Sequence, residues 1–227
     1  MNFERIDNFD VITQKGSSST AVVVLHGYGA SFQDLAPLYQ YLDPKSELNW
    51  YFVDGPLSVD IGMGMRGKAW FPIDMMELNQ AIVSGNFEHV FADHSPEGLE
   101  QITDQLEVFI NNLKSQHQDI FLGGFSQGSM VSTSLALKNP SLLSKLFLLS
   151  STLYDQKRFE AEIGGLKTLA TFQSHGNMDP VLPINMANKL SEILKSHLET
   201  YEYHPFSGGH EIPLNVIDSL KDFLHRN

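Results

Sequence analysis

Cysteine is absent from all 227 residues. That excludes a disulfide framework, a thiol nucleophile and a thiolate metal site, and it suits a reducing compartment. Long apolar runs are missing too. The longest, "AVVVL" (21–25), is far short of a membrane span, and the N-terminal "MNFERIDNFD" carries acidic residues and no apolar leader core. These absences predict a soluble, unexported, cytoplasmic protein with no integral membrane segment. Basic clusters are lacking as well: 27 acidic against 15 basic side chains leave a formal net charge of -12. Nucleic acid is therefore not an expected partner, and a neutral or apolar substrate bound in a pocket is favoured over a strongly anionic one.

Internal repeats and low-complexity tracts are also absent, apart from the short "GSSST" at 16–20, so the chain reads as one domain. Asp10 to Gln14 suits an edge hairpin strand. "TAVVVL" (20–25) is a β-branched run of the kind buried on both faces of a parallel sheet, and it ends at "HGYGA". "QDLAPLYQYL" (33–42) suits a short amphipathic helix and "WYFV" (50–53) a second core strand. Residues 54–94 lose all periodicity and read as an irregular loop region bordering a site. Ser95-Pro96 then supplies a helix N-cap and first-turn proline for a run with apolar residues at Ile102, Leu106, Phe109 or Ile110, and Leu113.

Strands and helices alternate from there on: strand "DIFLGG", helix 127–137, strands "KLFLLS" and "LKTLATFQS", helix 184–198, strand "TYEYHPF" and a final helix 213–224. This order predicts an α/β fold with a mostly parallel central sheet and helices on both faces. Right-handed crossovers put every strand-to-helix loop at the same sheet edge, so loops 26–30, 124–128, 175–183 and 207–212 should meet.

One of those loops, "GGFSQGSM" (123–130), sets Ser126 between Gly124 and Gly128 behind a buried strand and ahead of a helix. A G-x-S-x-G turn in that context holds a serine in a strained bend, with glycines where larger side chains would crowd it. The alternative use of such a serine is as a helix N-cap. As a nucleophile, Ser126 needs a base and a carboxylate to orient that base. Of nine histidines, His197, His204 and His225 fall within predicted elements, and His89, His94 and His117 lie away from the strand-end loops. His210, in "FSGGHEIP" after the last strand, is the expected base. His26 directly follows a core strand and suits a buried structural imidazole, while His175 stands as the alternative base. Asp179 in "HGNMDPVLP" is the expected acid, its competing use being a turn or cap carboxylate ahead of Pro180. The chain order Ser126, Asp179, His210 is that of an α/β-hydrolase. The oxyanion donors are then the backbone N–H groups of Gln127 and of Tyr28 in "HGYGA".

The blocks "VVVLHGYGA", "RGKAWF", "GGFSQGSM", "SHGNMDPVLP" and "GGHEI" together resemble the phospholipase/carboxylesterase family, small α/β-hydrolases that include acyl-protein thioesterases. The resemblance spans about residues 20–212. It departs at Ser129, where a glycine is common, and at Tyr28 and Ala30, where leucine and aspartate are common. It implies a serine carboxylesterase acting on short- to medium-chain acyl esters without metal or cofactor. Lysophospholipase or acyl-protein thioesterase activity is the alternative, and a non-catalytic acyl-ligand-binding module a remote one. Expected partners are thus a small acyl ester, thioester or lysophospholipid, and the sequence is compatible with a homodimer. In the family the segment after the second strand borders the acyl site. By that analogy Met63, Met65, Trp70 and Phe71, with Val181 and Leu182, are candidate substrate-binding residues, Trp70 and Phe71 having core packing as the competing role. Arg66 and Asp74 suit loop clamps. The pairs Glu88-His89 and Asp93-His94 have a spacing that fits no single helix face and predict no metal.

Overall fold

The computed structural model describes residues 1–87, 92 and 94–226. One sheet of eight strands runs through it in the order β1 (Asn2–Ile6), β2 (Phe9–Gln14), β4 (Asn49–Val53), β3 (Thr20–Leu25), β7 (Asp119–Phe125), β8 (Lys145–Leu149), β9 (Ala170–Gly176) and β10 (Tyr201–Phe206). β1 and β2 are antiparallel additions at one edge, and the remaining pairings from β4 to β10 are parallel. The predicted α/β-hydrolase architecture is therefore present.

Strand periodicity decides which layer each side chain joins. Along β3, Ala21, Val23 and Leu25 enter one core, while Val22 and Val24 enter the other. The first core is closed by α4 (Leu99–Lys114), α5 (Gln127–Lys138) and α7 (Ile184–His197), the second by α1 (Phe32–Leu35), α2 (Tyr39–Leu42) and α8 (Leu214–His225). The apolar stripe read in α4 is the buried one: Ile102, Leu106, Phe109, Ile110 and Leu113 all face the sheet. Burying each such side chain contributes about 1.5–3 kcal/mol. None of the helices in the described residues is long and apolar enough to cross a membrane.

Local boundaries differ from the sequence reading in four places. The segment read as irregular at 54–94 contains an antiparallel hairpin, β5 (Leu57–Asp60) with β6 (Arg66–Ala69), and a helix α3 (Met75–Ser84). Its hairpin turn uses positive φ at Gly62, Met63 and Gly64, so sequence alternation does not mark it. Asp74 is the N-cap of α3, its Oδ1 accepting from the amides of Met76 and Glu77 at 2.9 and 3.0 Å. The Ser95-Pro96 pair does not start α4; Gly98, left-handed at φ 79°, precedes it instead. A further helix, α6 (Gln156–Glu162), follows β8, and a 3₁₀ turn over Ala36–Leu38 splits α1 from α2 at Pro37.

Parallel pairing brings the C-terminal ends of β3, β7, β8, β9 and β10 to one edge. There α5 packs so tightly behind β3 that a Cβ on Gly128 would lie 2.2 Å from the Leu25 carbonyl oxygen. Backbone cannot yield to such an overlap as a flexible side chain would. Gly128→Ala is expected to destabilise the protein by at least about 2 kcal/mol, read as a lower urea midpoint.

Candidate active site

Ser126 sits between β7 and α5 with φ 54° and ψ -118°. A non-glycine residue in that region costs on the order of 1–3 kcal/mol and persists only where its surroundings enforce it. Here the Ser126 amide donates to Leu149 O at 2.8 Å, and its carbonyl accepts from Ser129 N at 2.9 Å and Ser129 Oγ at 2.5 Å. The serine that departs from the usual glycine thus grips the turn. Gly124 is required by the same bend, since a Cβ there would meet the Gly128 backbone and Leu25 O, each at 2.6 Å. Ser126 occupies the N-cap position of α5, but its hydroxyl makes no capping bond. A strained serine that caps nothing has its side chain free for other chemistry.

Asp179 and His210 are brought together. His210 Nδ1–H donates to Asp179 Oδ2 at 2.6 Å, and that carboxylate side chain is fully buried. Its other oxygen, Oδ1, accepts from the amides of Val181 and Leu182 at 2.8 and 2.9 Å. Burial alone raises the Asp179 pKa, but the His210 bond and the Leu182 and Val181 amides outweigh it, and the net shift is downward. The two loops are joined through main chain, Met178 N donating to Gly208 O at 2.9 Å. The His210 ring lies against Phe125, the residue before Ser126, with ring centroids 4.7 Å apart. Ser126 Oγ itself has no hydrogen-bond partner among the described residues.

The amides of Tyr28 and Gln127 likewise have no acceptor among the described residues, which leaves both N–H groups available. Residues 67–71 tie their two loops together. Lys68 O accepts from Gly29 N at 2.8 Å and Lys68 N donates to Ala30 O at 2.9 Å, so β6 brackets the Tyr28 loop. This approach needs glycine at 67, where a Cβ would lie 1.9 Å from Gly29 O. One strand-end later, the Gln127 side chain accepts from Trp70 N at 2.9 Å and donates to Phe71 O at 2.8 Å. Sequence reasoning valued Gln127 for its amide alone and missed this buried side-chain clamp. A glutamine directly after the serine, together with "RGKAWF", was the available signal. Gln127→Ala should leave two buried backbone groups unpaired, each costing about 1–3 kcal/mol, and is expected to lower both the melting temperature and turnover while Gln127→Glu restores neither.

His26 is fully buried and structural. Nδ1–H donates to Gly27 O at 2.7 Å, and Nε2 accepts from Gly55 N at 2.9 Å, which defines the tautomer. Burial is the main cause that brings its pKa down to about 4 from 6.5. Since the unfolded chain binds this proton first, its contribution to stability is present above pH 6.5 and is lost as pH falls towards 4. The loss amounts to about 3 kcal/mol. Urea midpoints at pH 7 and pH 4.5 should differ clearly less in His26→Asn than in the wild type, even though the variant starts less stable.

The six candidate substrate-binding residues are divided between core and surface. Trp70, Phe71 and Leu182 are at most 5% exposed within the larger core, with Val181 partly buried beside them. Trp70 is fixed there by donating its indole Nε1–H to His26 O at 2.8 Å. Met63, at the hairpin tip, is 99% exposed and Met65 is half exposed. The Glu88-His89 and Asp93-His94 pairs lie outside the described residues except for His94. Elsewhere, Asp43, Glu47 and His225 place ligand-type atoms within 4.8 Å of one another. Asp43 already accepts from Glu47 N, Leu48 N and Trp50 Nε1, so its carboxylate is engaged in holding that loop.

Known proteins share both this chain's sequence pattern and its architecture. The chain is 26% identical to acyl-protein thioesterase 1 of Kluyveromyces lactis, with 95% of each protein covered. It is 28% identical to acyl-protein thioesterase 1 of Mycosarcoma maydis, with 85% of each covered. Among solved structures, esterase PE8 aligns with a TM-score of 0.77 at 24% identity, covering 95% of this chain and 97% of that one. A Bacillus cereus carboxylesterase aligns at 0.70 and 19%, over 95% and 92%. At such identities these structures speak for the fold. Residues 6–227 match the phospholipase/carboxylesterase family, and with nearly the whole chain inside that match, this protein belongs to the phospholipase/carboxylesterase family and is a carboxylic ester hydrolase of α/β-hydrolase fold.

Proposed function

We propose that the protein is a serine carboxylesterase that cleaves short- to medium-chain acyl esters through Ser126, His210 and Asp179. The observation that carries this reading is the buried Asp179–His210 bond of 2.6 Å, set beside Phe125 and hence next to the strained Ser126. Ser126 Oγ attacks the acyl carbonyl carbon and gives its proton to His210 Nε2, the ring nitrogen that Asp179 leaves free. The negative charge that develops on the former carbonyl oxygen is met by the amides of Tyr28 and Gln127, held in register by residues 67–71. Collapse of this adduct breaks the bond to the leaving alcohol, which takes the proton back from His210, and water then releases the acid by the same sequence in reverse order. Asp179 keeps the proton of His210 on Nδ1 and stabilises the cation formed in each half-reaction. Ser126→Ala is expected to lower turnover of a p-nitrophenyl ester by at least about 10⁴-fold and to abolish labelling by a fluorophosphonate, with an unchanged circular dichroism spectrum. Retained labelling at wild-type level would reject Ser126 as the nucleophile.

Acyl-protein thioesterase activity is the second reading, favoured by the names of the fungal relatives. The same acyl-enzyme chemistry serves a thiol leaving group. Paired ester and thioester series from C2 to C16 separate the two. The carboxylesterase reading expects kcat/KM to peak at or below about C8 for esters, and a maximum at C14–C16 for thioesters would replace it with the second.

A further inference from the structure

Besides His26, the reaction described above leaves a second buried imidazole unused, that of His175. His175 lies near the end of β9, is fully buried, and donates Nε2–H to Leu182 O at 2.8 Å, with Asp179 Oδ2 3.4 Å from the same nitrogen. The Asp179 carboxylate is thereby enclosed. Oδ1 takes the Val181 and Leu182 amides, while Oδ2 lies between the imidazoles of His210 and His175. The Leu182 residue that gives its amide to Oδ1 gives its carbonyl to His175, so the ring holds the turn that carries the acid.

We propose that His175 is a positioning residue for the acid of the active site, its Nε2–H holding the 179–182 turn through the Leu182 carbonyl and so keeping Asp179 in line with His210. This proposal rests on the assignment of Asp179 and His210 given above. Burial lowers the His175 pKa, against the raising influence of the Leu182 carbonyl, of Asp179 and of the Ser151 backbone, so the ring is neutral at neutral pH, and the bond to Leu182 O puts its proton on Nε2. Nδ1 is then the acceptor nitrogen of the ring. It is one of three buried polar atoms with no hydrogen-bond partner among the described residues, the others being Ser150 Oγ and Ser151 Oγ at the end of neighbouring β8. Ser150 is itself left-handed, at φ 48°. The ring is thus held from its Nε2 side, which is the side that meets Asp179.

Two polar substitutions separate this role from simple packing. The amide nitrogen of glutamine reaches the place of Nε2, whereas that of asparagine reaches only the place of Nδ1. His175→Asn is expected to lower kcat for a p-nitrophenyl ester about tenfold or more, with KM within about twofold of wild type, because the group it disturbs orients the base and does not bind substrate. His175→Gln is expected to recover kcat to within about threefold of wild type. Wild-type kcat in His175→Asn would overturn the proposal, and so would an equal loss in both variants, since the ring and not its Nε2–H would then matter. If His175→Asn does not accumulate as folded protein, His175→Gln with a kcat at least tenfold below wild type and an unchanged melting temperature overturns it, and wild-type kcat supports it. Fluorophosphonate labelling of Ser126→Ala, run alongside, tests the nucleophile assignment separately, so a failure of that reading is distinguishable from a failure of the role given to His175.

Discussion

Everything at the carboxyl edge of this sheet depends on the close approach of bare backbone. Gly124 and Gly128 let the turn after β7 close against the end of β3, and Gly67 lets the hairpin lie directly on the 27–30 loop. Side chains at these points would overlap backbone atoms and push the loops apart, and hydrogen-bond geometry does not tolerate such a displacement. The strained conformation of Ser126 follows from the same packing: its amide and carbonyl are both engaged, by Leu149 and Ser129, in the one conformation that closes the turn. Strain here is a result of over-determination by neighbours, and it leaves the hydroxyl uncommitted to capping.

A second constraint is the complete satisfaction of a buried carboxylate. Asp179 is removed from water, which would ordinarily raise its pKa, yet the His210 imidazole and the amides of Leu182 and Val181 bond to it and keep it ionised. An anion held by fixed donors needs no reorganisation when the neighbouring imidazole becomes a cation, which is the electrostatic advantage a preorganised site has over solvent. His26 shows the opposite balance. Both of its nitrogens are engaged by backbone, and burial keeps it neutral far below the ordinary histidine range, so it serves as a fixed strut between the end of β3 and Gly55.

Much of the candidate site was legible because the residue types are those the proposed mechanism requires and their order follows from topology. A glycine-flanked serine between strand and helix, a carboxylate in a proline-stiffened loop and a histidine after glycines each stand at the end of a strand that hydrophobic patterning identifies. The cross-links were not legible. That Gln127 reaches from α5 to the backbone of Trp70 and Phe71, or that Lys68 brackets Gly29 and Ala30 through main-chain atoms, depends on distances between segments about 40 to 60 residues apart. Backbone hydrogen bonds leave little trace in side-chain pattern. The hairpin at 57–69 escaped for the same reason: its turn runs on positive φ, its strands are short, and its methionines face outward.

The linear order of residues by itself determined the layered α/β architecture, because period-two and period-3.6 apolar patterns leave few ways to bury their faces, and it determined which loops share an edge, because parallel crossovers have one hand. Tertiary structure alone decided what each polar group near that edge faces. Trp70 and Phe71 became core, His26 a strut and His175 a neighbour of the acid, since hydrogen bonding and burial are set by the meeting of surfaces that sequence separation does not encode.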